Sequence, residues 1–227
     1  MDYLRLRVLF HEFSKKLEEQ HTYYLDSVVG FSVLHKRVSA EQLLAKEFLS
    51  NSELTNDDFL DTCSTIYSEL SDKDVTPVSL SPVMKQGEVK TRTKENGSNY
   101  FLLGANCLVS LYGYWEEYLR VEIGIAKGVL KKGSIIDEEA RKILNKHVIS
   151  NIWGDIRYLR HSILHNNSIA NKDVVRCKIL KYFSPGDSIK LDFNKMQAIF
   201  LFLAEYRNEI HRMSFPPSEG IKIPSCK

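Results

Sequence analysis

The chain has 227 residues, 43% hydrophobic and 26% charged, which is enough to bury one sizeable core and a small accessory segment. A formal net charge of +2 excludes a strong global pull toward nucleic acid, so any RNA binding has to come from a local basic surface. The four cysteines, Cys63, Cys107, Cys177 and Cys226, are far apart and form no CxxC pair, which argues against a zinc knuckle or redox dithiol, and they read as ordinary reduced thiols.

The opening MDYLRLRVLFHEF carries charges through its first turns and has no signal-peptide apolar core. No run approaches the roughly 20 apolar residues needed to span a bilayer, so the expectation is a cytoplasmic protein without membrane contact. From Asp2 to about Ser50, Leu6, Leu9, Phe10, Phe13, Leu17, Tyr24, Val28 and Phe31 recur at helical spacing and predict one or two long amphipathic helices. Thr55 and Asp58 have the spacing of a capping box and predict a further helix through about Leu70. Residues 71–98 are rich in Ser, Thr, Pro, Lys and Gly and read as a loop or linker between the N-terminal helical segment (1–70) and a helical domain (99–212).

Within that domain an apolar helix is expected from Tyr100 to about Lys131, a second from Asp137 to Ser150 with acidic residues in its first turn, and a third from Asn151 to His165. Asn166 and Asn167 supply a stop, since Asn tolerates the left-handed conformation used at helix ends. Residues Val174 to Leu191 place β-branched and aromatic residues around SPGD and predict a small β-hairpin. Asp192 then caps a helix from Phe193 to about Arg212, and residues 213–227, with Pro216, Pro217 and Pro224, form an extended tail. The expected class is all-α.

The string DIRYLRHSILHNNSIA, Asp155 to Ala170, carries the chemistry. On an ideal helix Ile152, Ile156, Leu159, Ile163 and Leu164 share a broad apolar face, and Arg160 falls inside it. A guanidinium cannot neutralise itself, so Arg160 has to meet a carboxylate, a cleft or a partner surface. Arg157, His161 and His165 lie i, i+4, i+8 along the bordering edge and make a basic strip, and the helix dipole favours a protonated His165 in the last turn.

RHSILH, Arg160 to His165, resembles the R-x(4–6)-H signature of the HEPN superfamily, in the variant with a polar residue, here His161, after the arginine. GYWEEYL, Gly113 to Leu119, resembles the aromatic-acidic stretch on the preceding core helix of that family, and the likeness spans roughly Asn99 to Arg212. The spacing also occurs at Arg5–His11 and Arg141–His147, but Leu6 and Lys142 follow those arginines and neither pair closes a helix with comparable stop signals. The resemblance implies a HEPN-like helical bundle with additional N-terminal helices. It further implies metal-independent endoribonuclease activity, in which the ribose 2′-hydroxyl attacks the adjacent phosphate and leaves a cyclic phosphate. The biological setting it implies is microbial defence or a toxin system, with a cognate antitoxin or defence partner. No cofactor or metal is expected.

In that reading Arg160 and His165 are catalytic. His165 exchanges protons near neutral pH, and Arg160 offers permanently charged donors to the phosphate oxygens. The two project about 140° apart on an ideal helix, so a homodimer pairing its motif helices across a two-fold axis is the expected way to bring them to one phosphate. Glu116 either orients Arg160 or His165 or pairs structurally with another basic group, and Glu122 competes for the same role. His161 binds phosphate or is an exposed helix residue, and Asn166 contacts RNA or only caps. The alternative function is a non-catalytic helical module binding RNA or a protein through the same strip.

His161 and His165 also have a spacing that two zinc ligands can use, but no Glu follows the first histidine and the nearby arginines repel a cation. Gly104, Gly113, Gly124 and Gly128 lack any GxGxxG or Walker pattern and read as close-packing sites.

Overall fold

The structure, a computed structural model, describes residues 1–50, 53–55, 58–61 and 84–216. It is mostly helical: α1 (Tyr3–Phe48), α2 (Gln86–Thr93), α3 (Ser98–Tyr114), a π-helical turn (Trp115–Leu119), α4 (Arg120–Ala126), α5 (Glu138–His147), α6 (Asn151–His165), a 3₁₀ helix (Lys172–Arg176) and α7 (Phe193–Met213). Two-residue strands β1 (Leu60–Asp61) and β2 (Met84–Lys85) pair antiparallel, Leu60 opposite Lys85 and Asp61 opposite Met84. Among the described residues no helix is long and apolar enough to cross a membrane.

The chain divides into two compact units. Residues 1–22, 105–190 and 194–227 make the first. Its core takes Leu6, Leu9, Phe13 and Leu17 from α1, the apolar stripe of α6, and Met196, Ile199, Leu203 and Ile210 from α7, all buried. At its centre the Trp115 and Trp153 rings stack at 4.9 Å and Tyr206 meets Trp115 edge-on at 5.3 Å, the arrangement favoured by ring quadrupoles. α5 begins where expected because the Asp137 side chain accepts from the Ala140 N–H at 2.8 Å, a cap worth about 1 kcal/mol. α6 ends where expected, with Asn167 at φ 48 and Ser168 at φ 59 reversing the chain.

The second unit comprises residues 23–104 and 191–193. Val38 and Val89 are fully buried there beside Leu34, Phe31 packs on Tyr100, and Lys90 reaches Gln42 at 3.0 Å. The main-chain N–H of Phe193 donates to Asn96 Oδ1 at 3.1 Å.

Several elements differ from the sequence expectation. Residues 86–93 form α2 where a linker was expected, because Gly87, Val89 and Thr93 are buried despite their polar neighbours. The unit boundaries fall within α1 and α3 and not at a linker. Thr55 forms one half of the capping box, its N–H and hydroxyl both donating to Asp58 at 2.6 and 2.7 Å, and those bonds hold the Asp58 carboxyl below its usual range. Yet β1 at 60–61 replaces the helix at that point, while 62–83 lie outside the described residues, as do Cys63, Cys226 and the tail from 217.

The hairpin over 174–191 does not form a ladder. Asp155 captures the main-chain N–H groups of Lys178, Ile179 and Leu180, so that arm cannot offer them to a partner strand. The SPGD turn does form, with Gly186 at φ 94, and its far arm pairs instead with the turn after α6, through the single bridge Ile169–Ser188. Gly124 is tightly packed, an added Cβ falling 2.7 Å from a Leu144 methyl. Gly113 faces open space, and Gly128, at φ 76, makes a turn.

Candidate functional site

α6 positions the site in the first unit. Its apolar residues Ile152, Trp153, Ile156 and Leu159 are buried, which fixes the rotation of the helix and leaves Arg157, His161, Leu164 and His165 exposed. Leu164 was expected on the apolar face, but it is 47% exposed in the last turn of the helix. Arg160 is half-buried at the border between the two faces.

Beside α6 lies an open cavity of about 550 Å³ lined by Tyr112, Gly113, Glu116, Glu117, Arg141, Arg157, Tyr158, Arg160, His161, Asp173 and Arg176. Arg160 reaches it across Tyr112, its guanidinium carbon 5.7 Å from the ring centroid. Arg176 reaches it across Tyr158 at 5.2 Å and lies 3.7 Å from Asp173. Such cation–π contacts fix guanidinium groups without neutralising them. Among the described residues no carboxylate is paired with Arg141, Arg157 or Arg160. The requirement that Arg160 meet a carboxylate, a cleft or a partner surface is therefore met by a cleft.

The two residues expected to be catalytic do not share this cavity. Arg160 and His161 line it, whereas His165 is exposed and outside the lining, its ring 4.9 Å from that of His161. His161 thus links the cavity to His165. Arg157 lines the cavity as part of the basic strip. Asn166 lies outside it, and its side-chain amide donates to the Ile169 carbonyl at 2.7 Å, which accounts for the residue as a helix stop.

The carboxylates are engaged elsewhere. Glu116 accepts from the Tyr112 hydroxyl at 3.0 Å and from Arg120 at 3.4 Å, so it pairs with another basic group and not with Arg160 or His165. Burial, reinforced by Glu116, pushes the Tyr112 phenol up to about 12, keeping it a neutral donor. Glu122 is taken by Arg5 at 2.7 and 2.9 Å; Arg5 also donates to Tyr118, which in turn donates to Glu12 at 2.6 Å. Arg5, one of the two discounted arginines, is thereby committed to structure. Arg141, the other, lines the cavity, but His147 does not.

The π-helical turn falls on the WEEYL of the aromatic-acidic stretch. It seats Trp115 and Leu119 in the core while Glu116 and Glu117 face the cavity. Such turns concentrate at functional sites.

Arg176 and Tyr112 were not singled out from sequence, Arg141 was read only as a discounted spacing match, and Tyr158, though inside the motif string, was given no role. Arg141 and Arg176 are too far from that string to share a local pattern with it, and only the aromatic-acidic stretch beside Tyr112 hinted at the region. Asp155 was also missed: at 2% exposure it bonds three main-chain N–H groups and holds in place the segment that follows Arg176.

The site consists of guanidinium cations, two tyrosine rings and an accessible imidazole pair. It is suited to gripping an anion with several oxygens, with a proton carrier nearby. Among the described residues no three His, Cys, Asp or Glu side chains are placed to hold a metal ion. No family model matches the chain, and no curated protein and no solved structure matches it significantly.

Proposed function

We propose that the chain is an endoribonuclease that cleaves RNA at the α6 edge. The observation that carries this reading is Arg160, lying over the Tyr112 ring with no carboxylate partner among the described residues, in a cavity that also holds Arg141, Arg157, Arg176 and His161. A guanidinium held in this way suits a phosphate whose negative charge grows as a fifth oxygen approaches phosphorus. The 2′-oxygen attacks, its proton passes to an imidazole, the bond from phosphorus to the 5′-oxygen breaks, and that oxygen takes a proton from the imidazolium so formed. The products are a 2′,3′-cyclic phosphate and a 5′-hydroxyl.

His165 is the proton carrier in this proposal. Because it stands outside the cavity of its own chain, the proposal includes a homodimer in which α6 helices face each other and His165 approaches the phosphate held by the other copy's Arg160. The exposed run Arg157, His161, Leu164 and His165 is the surface such a dimer would use.

The test is incubation of labelled RNA with the protein in EDTA. Cyclic-phosphate products that vanish in Arg160→Ala and in His165→Ala, and return when the two variants are mixed, support a shared site. The exposure of His165 favours a second reading, a helical module that binds RNA without cutting it; intact RNA with measurable affinity would establish that reading instead.

A further inference from the structure

The cavity contains more fixed positive charge than a single phosphate requires. Two guanidinium groups are held on separate tyrosine rings, Arg160 on Tyr112 and Arg176 on Tyr158, and both tyrosines line the same space. Arg141 joins them from α5. Of the lining carboxylates, Glu116 is engaged by Arg120 and Tyr112, Asp173 lies 3.7 Å from Arg176, and Glu117 is exposed, so four guanidiniums face three carboxylates of which one is already taken by Arg120 outside the lining. Stacking on a ring restricts side-chain motion in advance, so each guanidinium loses less freedom when it binds an anion. Two guanidiniums held on different tyrosine rings in one polar cavity fit two anionic groups joined by a short linker.

Resting on the RNA-cleaving reading above, we propose that the cavity holds two successive phosphates of one RNA strand: the scissile phosphate against Arg160, and its neighbour against Arg176 and Arg141. Arg141 and Arg176 are then binding residues that set a minimum substrate length. The ligand is a single strand, because two successive phosphates can bend together into a cavity of about 550 Å³ only where the backbone is free of a regular duplex.

Two measurements test this. The first is the ratio of kcat/KM for a trinucleoside diphosphate over a dinucleoside monophosphate. The expected ratio is at least about tenfold in the wild type, the size of one charge-assisted contact of about 1.4 kcal/mol, and it falls toward one in Arg141→Gln and Arg176→Gln. The second is the salt dependence of binding to an oligonucleotide with a 2′-O-methyl group at each ribose, which cannot be cut. Each of the two substitutions should reduce the slope of log K against log salt by up to about 0.7, the contribution of one phosphate contact on a single strand. Both arginines are exposed, so neither substitution disturbs the core.

Cleavage by the wild type with an unchanged length ratio and slope in both variants overturns the two-phosphate site and leaves the nuclease reading intact. Absence of any cleavage, with slopes that fall as stated, overturns the nuclease reading and supports the two-phosphate site on its own. Absence of both overturns both.

Discussion

Replacing Asp155 with alanine removes the acceptor that fixes the segment following Arg176. Its carboxylate takes N–H bonds from Lys178, Ile179 and Leu180 at 2.6 to 3.0 Å. Hydrogen bonds to a charged acceptor contribute about 1.5–3 kcal/mol each, and burying the carboxylate offsets part of that. Lys178 is exposed, so water can take over its N–H, whereas Leu180 is 1% exposed and its donor would be left bare. The net loss is then about 3–5 kcal/mol, which for a chain of this length lowers Tm by about 10 °C. Asp155→Asn keeps one oxygen, which can occupy the position that receives all three donors, and should lose about half as much. Thermal melts followed by circular dichroism read the shift, and amide exchange should show Ile179 and Leu180 losing protection. A melting point for Asp155→Ala within about 3 °C of wild type would refute this account of the segment.

Gly113 lines the cavity and an added Cβ meets nothing within 4 Å, so Gly113→Ala should raise stability by about 0.5–1 kcal/mol through helix propensity while Gly113→Trp obstructs the cavity and lowers RNA affinity at least tenfold. Melting curves and filter binding check the pair. Arg5→Ala should cost about 1–2 kcal/mol by releasing Glu122 and Tyr118 yet leave cleavage within about twofold, the reverse of Arg160→Ala; equal loss of activity in both would contradict the assignment of Arg5 to structure. Burial raises Cys107 from 9.0 to about 11, Cys177 from 9.0 to about 12 and Tyr114 from 10.0 to about 12. Their neutral forms are favoured by the fold, so the stability they contribute is complete below about pH 9 and is lost as pH rises through 11 to 12. Tm should stay level with respect to these groups up to about pH 9 and fall above it; a Tm that rises there would contradict the sign.

The helices of the first unit were legible because their signals are local. Asp137 caps α5, the paired asparagines after His165 end α6, and the apolar period of α7 survives from Phe193 to its last turn. α2 was not legible: MKQGEVKTRT is polar, carries a glycine and follows two prolines, and only burial of Val89 and its neighbours reveals why it is helical. The hairpin failed because its donors were claimed by Asp155, a residue more than 20 positions upstream, and no window of sequence shows such a capture. At the site, Arg157, Arg160 and His161 could be read from one turn of one helix. The cavity they border could not, since Arg141 and Arg176 come from separate elements. The partner of Glu116 could have been read, because Arg120 lies four residues along the same helix, the spacing at which a carboxylate and a guanidinium meet.

The wide turn at Trp115–Leu119 sets the angular phase between the two halves of a long helical rod. Its extra residue is taken up locally, so excising one position there would let the rod close into an uninterrupted α-helix with Leu119 and Ile123, both 0% exposed, still facing the core. The same excision within the regular turns of α4 would rotate everything downstream by about 100°, so the wide turn is the place where the rod can absorb a one-residue change in length.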